Sequence, residues 1–466
     1  MRFFLLLTLL ILAFCITTST VASENSADQS NVVIIFCDDL GYGDLGCFGH
    51  PTISTPNLDR MSTEGQRWTN FYVAASVCTP SRSGLVTGRL PVRTGMCDDQ
   101  RRVLFPDSSG GLQDSELTIA EVMKSAGYAT ACVGKWHLGH LPQYLPTNHG
   151  FDSYFGIPYS NDMDRLPTAP RGRESFNIYD TTNFNVPLMR DLEIVERPAD
   201  QETITTRYTE AAIDFIDANQ DGPFFLYLAH NLPHVPLFVA PENLGTSRRG
   251  LYGDVIEEID DGVGRILDTL RESGLDEKTL VVFTSDNGPW LTFFQQGGSA
   301  GLLREGKGCT FEGGMREPTI FWQPGSIDPG VVMDMGATLD LLPTCAAIAG
   351  AELPDGLILD GYDISGTLYD GETSPRDVVY YYRGTKIYAI RKGPYKAHFI
   401  TQGAYGDEPY TEHETPLLYN LEHDPSEKYD IATDHPDVVA DLTQCADDFR
   451  ASFTPAESQL AERIGE

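Results

Sequence analysis

Basic residues are scarce in this sequence. Its 466 residues include 33 Lys and Arg against 67 Asp and Glu, which gives a formal net charge of −34. Such an acidic excess argues against nucleic acid or an anionic membrane surface as a partner. It also works against long-range attraction of a polyanionic substrate, so any anion must be captured by local Arg, Lys and His side chains. Solubility in a salty environment is the simplest explanation of the excess.

Several other features are absent, and each absence narrows the class of protein. After the first residues, no apolar run approaches the ~20 residues that a membrane span needs. No Asn-x-Ser/Thr sequon occurs, so nothing indicates a glycosylated secretory route. No internal repeat or low-complexity tract is present. The nine cysteines are scattered and do not form a disulfide framework, although one or two bridges of undetermined pairing stay open.

The N-terminus has the pattern of a targeting segment. Arg2 is followed by an apolar run that ends at Ile16, and small residues precede the mature sequence. The sequence therefore predicts a secretory signal peptide over residues 1–23, with a bacterial periplasmic or secreted protein as the result. An uncleaved anchor, or a lipoprotein attached at Cys15, is the alternative, although Phe14 is a poor residue before a lipidated cysteine.

The stretch Cys78-Thr79-Pro80-Ser81-Arg82 predicts a helix with a reactive first turn. Pro80 suits a first helical turn, and Gly88 suits the position just past a helix end. Cys78 would then lie beside free backbone N–H groups, with Arg82 four residues on along the same face. This arrangement favours anion binding around a reactive side chain. A buried or disulfide-bonded cysteine beside a helix start is the alternative.

Two apolar runs each end in acidic or amide side chains. Residues 31–37 and 280–285 read as strands that are buried on both faces of a parallel sheet. Ligand groups gather at the carboxyl ends of such strands, and adjacent carboxylates with amide oxygens suit Ca²⁺ or Mg²⁺. Taken singly, each pair could be a solvated turn. The candidate metal ligands are Asp38, Asp39, Asp286 and Asn287.

Basic side chains follow other predicted strands. Beyond the strand at 129–134, Lys135 and His137 would project to one side of an extended backbone. Such a pair could bind an anion and move a proton, although alone it would be a surface feature. His230 and His234 follow a strand at 224–229, where acid–base and structural placements are both open.

The glycine-rich residues 301–308 and 311–318 predict loops, in which Lys307 could approach an anion. They do not form a phosphate-binding P-loop, since no G-x-x-x-x-G-K-[ST] is present. The helix predicted over Tyr252–Ser273 carries an acidic face that reads as solvated. The acidic residues of that face are Glu257, Glu258, Asp260 and Asp261.

The motifs together resemble the formylglycine-dependent sulfatases, closest to the arylsulfatase A and galactosamine-sulfatase branch. C-x-P-x-R followed by L-x-T-G-R, at residues 78–89, is similar to the family signature. The resemblance covers residues 31–430. The other matching stretches are DD-x-G-Y-G-D from Asp38, G-K-W-H-L-G from Gly134, G-I-P-Y-S from Gly156, S-D-N-G from Ser285 and G-K-x-x-x-x-E-G-G from Gly306.

The resemblance implies a cofactor set. Cys78 would be oxidised to formylglycine by a formylglycine-generating enzyme, and its hydrated aldehyde would be the nucleophile. Ca²⁺, or Mg²⁺ in its place, would be held by the four oxygen ligands and by the modified Cys78. Arg82 would hold the oxyanion with the cation.

The resemblance also implies roles for the remaining residues. His234 would protonate the leaving alcohol, and His137 would take the proton from the second hydroxyl as sulfate is expelled. His230 is expected to be structural, and His413 is a weak candidate for the substrate pocket. The residues that would cradle the sulfate are Lys135, Ser160, His234 and Lys307.

The implied fold is an alkaline-phosphatase-like α/β sandwich. It combines a large mixed, mainly parallel sheet with a smaller C-terminal domain that has an antiparallel sheet and a helix. The expected boundaries are a catalytic domain over 24–365 and a C-terminal subdomain over 366–466. The expected substrate is a small-molecule or glycan sulfate ester. A phosphomonoester or phosphodiester hydrolase of the same superfamily, and a non-catalytic sulfated-glycan binder, are the alternatives.

Overall fold

A computed structural model describes residues 29–403 and 409–465. The predicted signal peptide lies outside these residues. Among the residues described, no helix has the length and apolarity that crossing a bilayer requires. The strands β1 to β14 are, in chain order, Asn31–Cys37, Gln66–Tyr72, Ala129–Gly134, Ser153–Gly156, Leu188–Arg190, Glu193–Glu196, Phe224–Ala229, Thr279–Ser285, Arg316–Trp322, Gly330–Ala337, Val378–Arg383, Lys386–Lys392, Tyr395–Thr401 and Thr411–Asn420.

The helices are mostly short, with three longer exceptions, two in the central part of the chain and one near its C-terminal end. Helices α1 to α10 are, in chain order, Pro56–Glu64, Cys78–Thr87, Pro91–Thr94, Ile119–Ser125, Ile204–Ala218, Leu251–Glu272, Glu312–Met315, Leu341–Ala349, Ser365–Tyr369 and Pro436–Ala451.

The first ten strands form one mixed sheet in the order β10-β2-β9-β8-β1-β7-β3-β4-β5-β6. At its centre, β8, β1, β7 and β3 run parallel. Every residue of β1 is buried, as expected for a parallel strand that is covered on both faces. Because neighbouring parallel strands end at one edge, the residues that follow β1, β3, β7 and β8 meet there.

Alternate residues of β1 supply two hydrophobic cores, one on each face of the large sheet. Val33 and Ile35 belong to the core that α5 and α6 cover. Val32 and Ile34 belong to the core that α2, α4 and α8 cover. The result is a sandwich of helices around a sheet, as the sequence predicts.

The C-terminal strands form a separate antiparallel sheet in the order β11-β12-β13-β14, against which α10 packs. A third apolar cluster joins this small sheet to the large one, since Tyr72 and Met335 pack with Tyr381 and Ala389. The predicted architecture of the C-terminal region is therefore confirmed. The predicted boundary between residues 365 and 366 stays a prediction.

Two predictions about local structure differ from the fold, and the open possibility of one or two disulfides is excluded among the described residues. Glu258 and Asp260 are buried, because α6 packs against α5 and α1; Asp260 accepts hydrogen bonds from the backbone N–H groups of Asn57 and Leu58, at 3.1 and 2.8 Å. The segment 311–318 is not a loop, since it contains α7 and the start of β9. The eight cysteines of the described residues are all free thiols, so no disulfide occurs among them.

Candidate active site

The predicted metal ligands converge at the ends of β1 and β8. The two strands pair in register up to Cys37 and Ser285, so the next residues of each strand lie side by side. The backbone N–H of Asp39 donates to Asp286 at 3.2 Å, and Asn287 donates from its amide to Asp39 at 2.7 Å. Asp39 takes a left-handed backbone conformation with φ of 64°, which turns the chain sharply at this point.

Cys78 is the first residue of α2, as the sequence predicts. The helix ends at Gly88, which has φ of 63° and donates its N–H to Gly84 at 2.9 Å. The Cys78 thiol donates to Asp38 at 3.3 Å. Burial raises the pKa of this thiol well above its usual range, and Asp38 raises it further. The group is therefore protonated at neutral pH, and a protonated thiol is a weak nucleophile.

Arg82 is fully buried and is engaged with carboxylates. Its Nη2 lies 2.8 Å from Asp286 and 3.8 Å from Asp38. Its Nη1 donates to the backbone carbonyl of Lys135 at 3.1 Å, which ties α2 to the end of β3. The guanidinium thus holds two candidate metal ligands in place, and its predicted role on an oxyanion stays a prediction.

Two lysines and a serine surround Cys78. Lys135 is in hydrogen-bond contact with Asp38, and its Nζ also lies 3.3 Å from the Ser160 hydroxyl. Lys307 lies 2.7 Å from Asp39 and 3.5 Å from the Cys78 sulfur. All three side chains are almost completely buried. Lys307 contacts the Cys78 sulfur directly, and Lys135 contacts Asp38, which also contacts that sulfur. Two buried ammonium groups near one side chain form a suitable pocket for an anion.

The two predicted acid–base histidines differ in how their rings are held. His137 Nε2 lies 2.8 Å from the backbone carbonyl of Leu104, so Nε2 carries the proton that it donates. Its Nδ1 has no hydrogen-bond partner among the described residues. Burial lowers the pKa of His137 well below its usual range, which keeps the ring neutral and Nδ1 able to accept a proton.

His234 presents the opposite nitrogen to the site. Its Nδ1 lies 2.6 Å from the Val235 carbonyl, and its Nε2 lies 3.8 Å from Asp39. Burial lowers the pKa of His234 well below its usual range, and Lys307 lowers it further. His230 is buried outside this group, and burial lowers its pKa to about 4. His413 lies on β14, where it contacts Thr401 and lines a different cavity.

The oxygen atoms at the strand ends fit a hard divalent cation. Ligand atoms of Asp38, Asp39, Cys78 and His234 all lie within 4.8 Å of one another. The side-chain oxygen of Asn287 is buried without a partner among the described residues, which makes it a free donor for a cation.

The pKa values of Asp39 and Asp286 indicate negative charge that is not fully compensated. At Asp38, burial would raise the pKa, but Lys135 and His234 outweigh burial and hold it well below its usual range. Burial raises the pKa of Asp39 to about 7, with Lys307 opposing and Asp38 and Asp286 adding to the rise. Burial and Asp38 also raise the pKa of Asp286. A cation bound here would offset the excess.

One residue of the site is absent from the sequence-based prediction. The indole of Trp290 lies 4.4 Å from Lys307 Nζ, and its centroid lies 5.3 Å from that of the His234 ring. The one signal in the sequence was its position three residues beyond Asn287, and an aromatic residue in a loop gives no direct indication of a catalytic neighbour.

Comparison with known proteins shows which family this chain resembles. The sulfatase family profile matches residues 30–351, and that of the C-terminal region of aryl-sulfatase matches residues 374–464. The chain is 42% identical to arylsulfatase A of Bos taurus, over 96% of this chain and 93% of the relative. It is 39% identical to N-acetylgalactosamine-6-sulfatase of Mus musculus, over 92% and 88% respectively.

The solved structures agree with these sequence matches. The PsFucS1 sulfatase from Pseudoalteromonas sp. superposes with a TM-score of 0.81 at 28% identity, covering 94% of this chain and 92% of that one. The predicted alkaline-phosphatase-like sandwich and the predicted family resemblance are both confirmed.

Proposed function

The chain belongs to the sulfatase family of sulfuric ester hydrolases, and from this premise we propose that it cleaves the sulfate ester of an aryl or sugar alcohol. The names of its relatives, arylsulfatase and N-acetylgalactosamine-6-sulfatase, support this substrate class. The observation that carries the proposal is the position of Cys78, whose sulfur lies 3.3 Å from Asp38 and 3.5 Å from Lys307. A carboxylate and an ammonium group therefore flank a single side chain at a helix start.

Cys78 is the proposed precursor of formylglycine. Its thiol is held protonated by burial, so the unmodified side chain is poorly suited to attack an ester. Formylglycine would supply a hydrated aldehyde, in which one hydroxyl attacks sulfur and the second allows sulfate to be expelled. A formylglycine-generating enzyme is then the required partner during maturation.

A divalent cation, Ca²⁺ or Mg²⁺, is the proposed cofactor. Bound by the four oxygen ligands and by the modified Cys78, it would neutralise their charge and lower the pKa of a hydroxyl beside it. Arg82 would keep two of these carboxylates in position through its contacts with Asp286 and Asp38.

The lysines and Ser160 would bind the sulfate oxygens. Lys307 lies 3.5 Å from the Cys78 sulfur, and Lys135, which contacts Asp38, lies 3.3 Å from the Ser160 hydroxyl. Charge-assisted hydrogen bonds from these groups would stabilise negative charge on the sulfate in a site with little water. Lys307 forms an ion pair with Asp39 at 2.7 Å. On substrate binding, a contact with the sulfate would replace this ion pair.

The two histidines divide the proton transfers. His234 donates from Nδ1 to the Val235 carbonyl, which leaves Nε2 as the nitrogen that faces the site and serves the leaving oxygen. The negative sulfate would oppose the effect of Lys307 and favour a proton on Nε2. His137 donates from Nε2 to the Leu104 carbonyl, so Nδ1 is the atom that would accept the second proton.

Export of the enzyme is proposed from its N-terminal sequence alone. The basic residue, the apolar run and the small residues of positions 1–23 form a signal-peptide pattern. A periplasmic or secreted location follows if that segment is cleaved.

Paired assays test the proposal. Protein made with a formylglycine-generating enzyme should release sulfate from an aryl sulfate and leave the matching aryl phosphate largely intact. Cys78→Ala should lose at least about 10⁴-fold in kcat/KM, the scale of removing a nucleophile. Cys345→Ala, a buried cysteine on α8, should keep wild-type activity. Turnover of the phosphate without the sulfate would favour a phosphoester hydrolase instead.

A further inference from the structure

Trp290 lies beside two side chains of the proposed site, Lys307 and His234. Lys307 and His234 are each 3% exposed, whereas Trp290 is half-buried. Its indole lies 4.4 Å from Lys307 Nζ and its centroid 5.3 Å from that of the His234 ring, with the two rings tilted by 55°. The exposed part of the indole therefore lies on the solvent side of both groups.

The backbone fixes Trp290 in this position. The carbonyl of Pro289, the preceding residue, accepts hydrogen bonds from the N–H of Lys307 and of Leu291, both at 3.0 Å. The Trp290 carbonyl accepts from Phe293 at 3.0 Å, and the two aromatic rings meet edge to face at 4.6 Å. These contacts hold the indole beside Lys307.

The path of the leaving group follows from the proton that it needs. The ester oxygen must come within hydrogen-bond distance, about 2.6–3.2 Å, of His234 Nε2. The carbon attached to that oxygen then extends away from the buried sulfate pocket, towards solvent. Trp290 is the half-buried surface that lies beside His234 on this side.

We propose that Trp290 is the specificity-determining wall of the site, against which the ring of the departing alcohol packs. The inference rests on the proposed sulfatase function and names the side chain that would hold the ring of the alcohol in that site. An indole face binds flat apolar surfaces, which both an aryl ring and the C–H face of a sugar ring provide. An acyclic alcohol offers no such surface.

The inference is tested by binding, so that it does not depend on turnover. In a Cys78→Ala background with Ca²⁺, dissociation constants are measured for an aryl sulfate, for a hexose 6-sulfate and for inorganic sulfate. Adding Trp290→Ala should weaken both ring sulfates by about tenfold and change inorganic sulfate by less than about twofold, because only the alcohol contacts the indole. Trp290→Phe should recover most of the lost affinity.

Two controls distinguish contact with the Trp290 indole from general effects of mutating this loop. Phe294 is 76% exposed in the same loop, and Phe294→Ala should leave all three constants unchanged. The other tryptophans, Trp68, Trp136 and Trp322, are fully buried. Sugar sulfate should therefore change the tryptophan emission of the Cys78→Ala protein, and that change should disappear with Trp290→Phe.

The contradicting results are distinct. If Trp290→Ala weakens inorganic sulfate as much as the ring sulfates, the residue acts only through Lys307 and the proposal fails. Unchanged constants for the ring sulfates would also overturn it. A wild-type enzyme that binds ring sulfates through Trp290 and hydrolyses none of them would instead contradict the proposed function.

Discussion

Two buried clusters of charge lie close together in this chain and are built differently. The catalytic cluster is defined as Asp38, Asp39, Asp286, Asn287, Arg82, Lys135 and Lys307. The anchor cluster is defined as Glu312, Glu427, Lys396, His398, Tyr72, Tyr381 and Arg316. Both contain carboxylates that are removed from water, but only the anchor cluster pairs its central carboxylate completely.

Glu312 is the centre of the anchor cluster. One of its oxygens accepts from Lys396 at 2.9 Å and from Tyr381 at 2.7 Å, and the other accepts from Tyr72 at 2.8 Å and lies 3.0 Å from Arg316. Burial alone would raise the pKa of Glu312, but Lys396 and the arginines outweigh it and hold this pKa well below its usual range. A buried charge paired in this way serves structure.

The catalytic cluster is left incomplete. Burial raises the pKa of Asp39 to about 7, and the Asn287 side-chain oxygen has no partner among the described residues. Buried polar groups without partners are costly, so their presence indicates a ligand. The difference in pairing distinguishes the proposed site for a cation and an anion from a cluster that joins two parts of the fold.

The anchor cluster nevertheless holds in place a segment that carries a residue of the catalytic cluster. Glu427 accepts the backbone N–H of Glu312 at 2.7 Å, and its own carbonyl accepts from Arg304 at 2.8 Å. Lys396, on β13, donates to the Thr310 carbonyl at 2.8 Å. Strand β13 and the turn that follows β14 therefore contact both ends of the segment 304–312, and this segment carries Lys307.

The largest effect is expected from the catalytic cluster. Asp39→Asn should lower kcat/KM by roughly 10²–10³-fold, the scale of losing one charge-stabilising group. Its folding stability at pH 7 should change by only about 1 kcal/mol, because a carboxyl with a pKa of about 7 is already half protonated there. Steady-state kinetics and urea unfolding measure the two quantities. Asp268→Asn, at a surface site, should change neither.

The corresponding carboxylate-to-amide substitution in the anchor cluster should lower folding stability strongly and affect kcat/KM much less. Glu312→Gln should lower the free energy of unfolding by about 3–5 kcal/mol, because it removes the carboxylate that pairs with the buried Arg316 and leaves Lys396 with Glu427 alone. Since the folded pKa of Glu312 is lowered, its stabilisation is present above the unfolded pKa and is lost as pH falls below it. The difference between wild type and variant in urea should therefore shrink in acid. A constant difference would contradict this account of Glu312.

Cation binding at the catalytic cluster should stabilise the protein, and the size of this stabilisation should depend on pH. Ca²⁺ at a hundredfold excess over its Kd should stabilise the protein by about 2.7 kcal/mol. Because the pKa of Asp39 is raised, metal-free protein should lose stability as pH rises from the unfolded value towards 7. The rise in Tm on adding Ca²⁺ should thus be larger at pH 7.5 than at pH 5. An equal rise in Tm at both pH values would show that Asp39 is not a ligand of the cation.

The smallest effect is expected from a single hydrogen bond of the anchor cluster. Tyr381→Phe removes the donor at 2.7 Å from Glu312 and leaves the ring in place. Stability should fall by about 1 kcal/mol, since Lys396 still neutralises the carboxylate. Activity at 25 °C should not change. Thermal unfolding and the aryl sulfate assay measure both, and a large loss of activity would show that Tyr381 controls Lys307.

The sequence was most informative where its pattern and the local physics agree. The strands Asn31–Cys37, Ala129–Gly134 and Phe224–Ala229 have the predicted bounds, because continuous apolar runs suit the centre of a parallel sheet. The start of α2 at Cys78 and its end before Gly88 were also predicted, since proline and glycine mark helix ends directly.

The prediction failed where tertiary contacts override local composition. Residues 311–318 are glycine-rich, yet Glu312 is drawn into a buried ionic network that fixes α7 and β9. Asp260 belongs to an acidic helix face, but it binds the first turn of another helix. Trp290 was missed because its relation to His234 exists only in three dimensions.

Cys78 is proposed to act only after its conversion to an aldehyde within the catalytic cluster. The mass of the tryptic peptide Trp68–Arg82, measured together with aryl sulfate turnover, tests it most directly. We expect an aldehyde at Cys78 and turnover that rises in proportion to the converted fraction. An intact thiol in a preparation that hydrolyses aryl sulfate at full rate would contradict it.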